Sequence, residues 1–206
     1  MSTEQGPVQI QPVLTARDRA VWLDLPAAIL SGDPHWVPPL QILERRRFSP
    51  KHQPFFGFGA AELFIAYRDG RAIGRISAQI NRRHLAHHED DTGQFGFFDC
   101  RNDPAAATAL VEAAAAWLRA RGLKRMTGPF SFSINEEAGL LVDGFDTPPA
   151  ILMGHGAPWY GALLEQAGMS KEIDLFAYRM RPSEAPELLM RLCDYPKFLY
   201  VLNTRI

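Results

Sequence analysis

An α+β fold, with a mostly antiparallel sheet that passes into a single β-α-β crossover, is predicted from three features of this chain. Two β-rich runs in AELFIAYRDGRAIGRISAQI meet at Asp69-Gly70, a dipeptide suited to the positive-φ turn of a hairpin. Asp103-Pro104 opens a long alanine-rich segment that stops at Gly122. The apolar runs GQFGFFDC and LKRMTGPF lie directly before and after that segment, so a helix is spliced between two strands. Where a crossover strand and the strand after it part, a cleft forms that can hold a ligand.

The elements follow in order. Val8 to Val13 alternates as a strand, and Thr15 or Asp18 caps a short helix through Leu25, which Pro26 kinks or restarts. SGDPHWVPPL is a proline-rich turn anchored by Trp36, and Gln41 to Arg47 is a short helical patch. SPKHQPFFGFGA reads as an aromatic loop folded over the sheet, ahead of the strands Glu62–Arg68 and Arg71–Ile80. Asn81 to Gly93 reads as a polar connection. In the helix from Pro104 to Arg121, Asp103 is the N-cap and Pro104 takes the first helical position. Ala106, Leu110, Ala113, Ala114 and Trp117 share one stripe, while Arg119 and Arg121 favour the C-terminal end of the dipole. After Pro129 comes the excursion SFSINEEAGLLVDGFDTPPAILMGHG, too long for an idle connector. A helix over Pro158–Ala167 ending at Gly168, a strand Lys171–Met180, a break at Arg181-Pro182, a short helix Glu187–Leu192 and a strand Lys197–Asn203 complete the reading.

Composition bounds the function. The 206 residues are 47% hydrophobic, enough for a sizeable core. With 22 Lys and Arg against 23 Asp and Glu, the chain lacks the basic footprint of a nucleic-acid binder. Arg45-Arg46-Arg47 could touch phosphate, but reads more simply as a solvated face. Two cysteines, Cys100 and Cys193, provide no disulfide framework. The N-terminus lacks a secretory pattern and no apolar run is long enough to span a bilayer, so the expected location is the cytoplasm, with no membrane partner.

The element order is similar to the acyl-CoA N-acyltransferase (GNAT) superfamily, and WYGALLEQAGMSKEIDLFAYRM resembles its closing helix–Gly–strand unit. The phrases DPHWVPPL, FFGFGAAELFIAYRDGRAIGRISAQIN, GQFGFFDCRND and GPFSFSINEEAGLLVDGFDTPP resemble a group of bacterial GNAT-like proteins over about Asp33 to Met180. Members of that group are longer, with a further C-terminal lobe. The resemblance implies a mixed central sheet of six to seven strands flanked by helices. It places a GNAT-like domain at residues 1–180 and a C-terminal extension at 181–206 that supplies a last strand, in a short variant or the first part of a two-lobe protein. It also implies acetyl-CoA or another acyl-CoA as co-substrate, an amine acceptor and, as one option, a homodimer.

Carried over residue by residue, the resemblance assigns roles with alternatives. The superfamily's phosphate loop has the pattern Arg/Gln-x-x-Gly-x-Gly/Ala; here CRNDPAAA keeps Arg101 but has neither glycine, and Pro104 removes a donor. Arg101, Asn102 and the following amides could form a weaker anion site, with Asp103 repelling phosphate unless it caps the helix. The backbone at Phe97 and Phe98 would polarise the thioester carbonyl, and Asn135 would bond the pantetheine. Glu136 (or Glu137) or Asp99 would be the base, and Tyr160 would reprotonate the thiol. The competing readings are that Asn135 and Glu136 cap a turn and that Tyr160 and Trp159 pack the helix. Cys100 ends the crossover strand and is either a nucleophile or a buried small hydrophobe. His84, His87, His88, Glu89, Asp90 and Asp91 have metal-like spacing but read as a solvated loop, or as a border of the amine site, and no metal is expected. A non-catalytic ligand-binding or scaffold domain that has lost the phosphate loop is the alternative to the acyltransferase.

Overall fold

A computed structural model describes residues 6–177, and 197–205 for the backbone alone. Among these, eight strands form one sheet in the order β1-β2-β3-β4-β5-β8-β6, with β7 also paired to β8. They are β1 Gln9–Pro12, β2 Gly59–Arg68, β3 Arg71–Asn81, β4 Thr92–Cys100, β5 Arg125–Gly128, β6 Leu140–Asp143, β7 Ser170–Ala177 and β8 Lys197–Arg205. The helices are α1 Ala16–Leu30, α2 Gln41–Arg47, α3 Arg82–His88, α4 Pro104–Arg119 and α5 Tyr160–Gln166. The sheet has one strand more than expected because Leu140–Asp143 pairs with β8 instead of remaining loop. Residues 178–180 of the expected strand Lys171–Met180, the break at Arg181-Pro182, the helix expected over Glu187–Leu192 and Cys193 lie outside the described residues.

The local chemistry explains most element boundaries. Asp69 and Gly70 both take positive φ (51° and 73°), the geometry of a two-residue hairpin turn. Asp103 caps α4 through Oδ1, which accepts from the Ala106 amide at 3.1 Å. At its other end Gly122 takes φ +83°, and the Leu123 amide returns to the Leu118 carbonyl at 3.3 Å. α3 replaces part of the expected polar connection; Asn81 caps it by accepting from the amides of Arg83 and His84 at 3.0 and 3.1 Å.

α1 runs through Pro26 to Leu30 instead of ending at Leu25. Thr15 is its N-cap, and Asp18 completes a capping box. Pro26 has no N–H, so the carbonyl of Trp22 loses its helical donor. Arg75 supplies the replacement from β3: its Nη1 donates to Trp22 O at 2.9 Å, and the guanidinium lies 4.1 Å from the centre of the Trp22 ring.

Helices cover both faces of the sheet. Leu110, Ala114 and Leu118 of α4 pack on one face with Ile76, Ala78, Phe95 and Met126, joined by Tyr160, Leu163 and Leu164 of α5. On the other, the aromatic residues Trp22, Phe48, Phe55, Phe97 and Phe132 cluster with Ile65, all of them at most 7% exposed. Phe55 and Phe132 stack at 4.8 Å, while Phe48 and Phe97 meet edge to face at the same distance. Among the described residues no helix is long and apolar enough to cross a membrane.

Candidate active site

The site begins where β4 loses its neighbour. β4 and β5 pair in parallel at Thr92↔Arg125, Gly93↔Met126 and Gln94↔Thr127. One further bond joins the Phe130 amide to Phe95 O at 2.8 Å. Beyond it the chain swings over β4, because residue 96 is glycine: a Cβ there would overlap the Phe130 carbonyl. Gln79 Nε2 donates to that carbonyl at 2.7 Å and fixes the crossing. On the other edge of β4, Phe97 and Phe98 face a single residue of β3, and Phe97 takes φ 49°, which is a β-bulge. The parting strands enclose a cavity of about 150 Å³, with Phe97, Phe98 and Asp99 on one wall and Pro129, Ser131 and Leu141 on another.

A polar network lines one side. Asp99 accepts from Arg75 Nε at 2.7 Å and from the Tyr160 hydroxyl at 3.1 Å. Burial, the Asp99 charge and the hydrogen bond to it hold the Tyr160 phenol well above its ordinary range. Asp99 and Tyr160 are thus brought together as expected, but both oxygens of Asp99 already hold donors, and Tyr160's proton is committed to Asp99. Neither is free for proton transfer in this arrangement. Trp159 continues the packing reading, its indole N–H donating to Cys100 O at 2.9 Å.

Arg47 organises the opposite side. It is partly buried and donates to Glu136 (3.1 Å), Glu44 (3.2 Å) and Glu137 (3.3 Å), so of the three consecutive arginines only Arg45 and Arg46 are solvated. Gln53 Nε2 also donates to Glu136, at 3.2 Å. Glu136 is therefore held by two donors away from the cavity, whereas Glu137 and Glu44 line it. Burial pushes the Glu44 carboxyl above its ordinary range, outweighing the attraction of Arg47 and Arg75. Three carboxylates around one guanidinium leave this side net negative, which favours a cationic group such as an ammonium. Asn135 is exposed, its amide turned to Ser133 Oγ at 3.2 Å.

His155 carries no motif that marks it in the sequence. Its side chain is 2% exposed and lines the same cavity. Nε2 lies 2.8 Å from Asp33 Oδ2, while Nδ1 is buried with no partner among the described residues. Asp33 is itself fixed, Oδ1 accepting from the His35 amide at 2.8 Å. Burial opposes ionisation of Asp33, yet the hydrogen bonds from His155 and His35 hold its carboxyl below the usual range.

At the start of α4 the residues do not fit a pyrophosphate. Asp103 occupies the helix N-terminus and also takes Arg68 in a two-pronged pair at 2.9 and 3.0 Å. Arg101 donates to the Ala28 carbonyl at 3.1 Å, and Asn102 is exposed. Cys100 is fully buried, and burial together with the charges of Asp103 and Asp99 pushes its thiol up to about 12, the environment of a core cysteine. In the histidine-rich segment His84 faces Asp90 at 3.2 Å, and among the described residues no three His, Cys, Asp or Glu side chains converge on a common point for a metal. A second cavity of about 600 Å³ adjoins the first, sharing Pro26, Trp36, Pro39 and Glu44, and is lined largely by apolar atoms of α1 and the 36–41 turn.

No protein-family model matches the chain. It is 42% identical over 186 residues to a bacterial ceramide synthase of Caulobacter vibrioides, covering 89% of this chain and 48% of that protein. It is 40% identical over 175 residues to protein YghO of Escherichia coli, covering 85% of this chain and 45% of that one. The chain thus spans about half the length of the curated relatives it matches. Among solved structures it resembles a ribosomal-protein-alanine N-acetyltransferase of Brucella melitensis, with TM-score 0.56 and 14% identity, covering 96% of this chain and 99% of that one. It also resembles a GNAT phosphinothricin acetyltransferase of Sinorhizobium meliloti in complex with acetyl-CoA, with TM-score 0.52 and 13% identity, covering 97% and 88% of the two chains.

Proposed function

Starting from the GNAT fold that this chain carries, we propose that it is an N-acyltransferase domain joining a long-chain acyl group, delivered as an acyl-CoA, to a long-chain primary amine. The observation that carries this reading is the cavity at the parting of β4 from β5, with its negative Arg47–Glu44–Glu137 side. An acyl thioester lying along the freed edge of β4 would bring its carbonyl to the bulge at Phe97–Phe98, where backbone N–H groups stabilise developing oxyanions. The ammonium form of the acceptor is drawn by the carboxylates and must lose a proton before it attacks.

The cavity volume of about 150 Å³ suits two reacting ends and not their tails. The adjoining apolar space of about 600 Å³ is where an alkyl tail would be sheltered from water. A ceramide is the amide of a fatty acid with a long-chain amino alcohol, so the synthase named among the relatives supports this choice of substrates. In the same proposal residues 1–180 form the catalytic domain, and the donor's phosphates are held elsewhere than at the α4 N-terminus, since Asp103 and Arg68 occupy it.

That occupied N-terminus favours a second reading, a non-catalytic domain of the same fold. The two are separated by incubating the chain with palmitoyl-CoA and sphinganine and measuring the amide by mass spectrometry, together with free thiol. Amine-dependent formation of both products in equal amounts supports the transferase. No amide, and no calorimetric heat with acyl-CoA at millimolar concentration, supports the binding or scaffold domain.

A further inference from the structure

We propose that His155 is the general base of this site, with Asp33 as its positioning residue. The inference rests on the acyl-transfer reading and on four observations. His155 lines the reaction cavity and is nearly fully buried. Its Nε2 faces Asp33 Oδ2 at 2.8 Å. Asp33 is ionised across the neutral range, so Nε2 carries the hydrogen and donates it. The remaining nitrogen, Nδ1, then presents a bare lone pair, and it is buried without a partner among the described residues. A buried acceptor left without a donor is costly, and a substrate N–H would recover that cost.

The other ionisable groups that share the cavity are already engaged. Asp99 accepts from both Arg75 and Tyr160, and Arg47 holds Glu44 and Glu137. In the proposed step, Nδ1 takes a proton from the amine nitrogen as the nitrogen lone pair forms the C–N bond to the thioester carbonyl carbon. The C–S bond breaks with its electron pair on sulfur. The Nδ1 proton passes to the thiolate, leaving amide, free thiol and neutral imidazole. Asp33 stabilises the imidazolium formed on the way and keeps the ring in the tautomer that exposes Nδ1.

The test uses the full chain with palmitoyl-CoA and sphinganine at pH 7.5. His155→Ala should lower kcat at least roughly 100-fold, the lower end for a lost general base, with KM for the donor within threefold. Asp33→Asn should lower kcat about tenfold with KM for the donor within threefold, because the imidazolium formed on the way loses its counter-charge, and hydrogen should appear on Nδ1 in its imidazole nitrogen–proton spectra, because the asparagine amide can donate to Nε2. Should the alanine variant fail to fold by circular dichroism, His155→Gln, which preserves most of the volume, takes its place.

Imidazole nitrogen–proton correlation spectra give a readout independent of turnover. An unprotonated Nδ1 with Nε2–H at pH 7.5, assigned by its loss in the variant, is the expected result. A hydrogen on Nδ1 at that pH overturns the proposal, whether or not acyl transfer is seen. Wild-type turnover with a His155 variant within threefold of it overturns the base while leaving the transferase. If the wild-type chain forms no amide, the acyl-transfer reading falls and the catalytic role of His155 falls with it.

Discussion

Replacing Arg75 by methionine tests the joint between the fold and the site. Arg75 is 6% exposed and makes three interactions: Nε to Asp99 at 2.7 Å, Nη1 to the Trp22 carbonyl at 2.9 Å, and a face contact with the Trp22 ring at 4.1 Å. Methionine fills most of the volume but makes none of them. Leaving Asp99 buried without its cation costs about 3–5 kcal/mol. The Trp22 carbonyl, already deprived of a helical donor by Pro26, loses about 1 kcal/mol more. Tyr160 remains on Asp99 and recovers part of this, so the expected loss is about 4 kcal/mol by urea unfolding followed through tryptophan fluorescence. At about 2–4 °C per kcal/mol for a chain of this size, the melting temperature falls by about 8–16 °C. Adding Asp99→Leu removes the stranded charge and should restore the double variant to within about 2 kcal/mol of wild type. A loss below about 1 kcal/mol for the single variant, or a double variant as unstable as the sum of its parts, would refute the argument.

Three further outcomes are expected. Glu44 has a folded-state carboxyl raised by burial, so its stabilising contribution is complete below the unfolded value and is lost as pH rises through the folded one; Glu44→Gln should therefore melt higher than wild type at about pH 7 and converge with it near about pH 4. Cys100, buried and pushed up to about 12, should resist maleimide in a native Cys193→Ser chain and react only in denaturant, as judged by mass spectrometry. Gly96→Ala should cost roughly 1–3 kcal/mol in urea unfolding, because its methyl group meets the Phe130 backbone and not a side chain that can turn away.

Short-range chemistry makes much of the fold legible. The hairpin follows from Asp69-Gly70, α4 from Asp103-Pro104 and Gly122, and the α5–β7 turn from Gly168, whose φ of +89° lets the chain reverse. What the sequence hides depends on partners far along the chain. α1 survives Pro26 because Arg75, about fifty residues on, replaces the missing donor. Arg47 turns inward because Glu136 and Glu137 wait for it, and α2 alone gives no sign of them. The site divides in the same way. Asp99 and Tyr160 are marked by their positions at the ends of β4 and α5, and they do meet. His155 and Asp33 stand 122 residues apart in segments with no regular structure, so neither periodicity nor spacing could pair them. Two small signals are present, an Asp-Pro turn before His35 and a histidine between two glycines, but both also suit ordinary loops.

The division of labour follows from how many donors each group already holds. A carboxylate that accepts two N–H or O–H bonds is an anchor, because protonating it breaks those bonds; Asp99 and Glu136 are in that condition. Their role is to keep Arg75, Arg47 and the loop from Ser131 to Gly139 in place, which keeps β4 and the chain after β5 apart. The same reasoning applies at α4, where Asp103 both caps the helix and holds Arg68, so this end of the crossover is closed by the protein's own charge. On the acyltransferase proposal, the filled phosphate cradle shifts donor affinity toward the pantetheine and acyl portions, where burial of apolar surface supplies about 0.8 kcal/mol per methylene. Affinity should therefore rise steeply from acetyl- to palmitoyl-CoA in calorimetric titrations, and a flat dependence on chain length would place the binding energy in the phosphates after all.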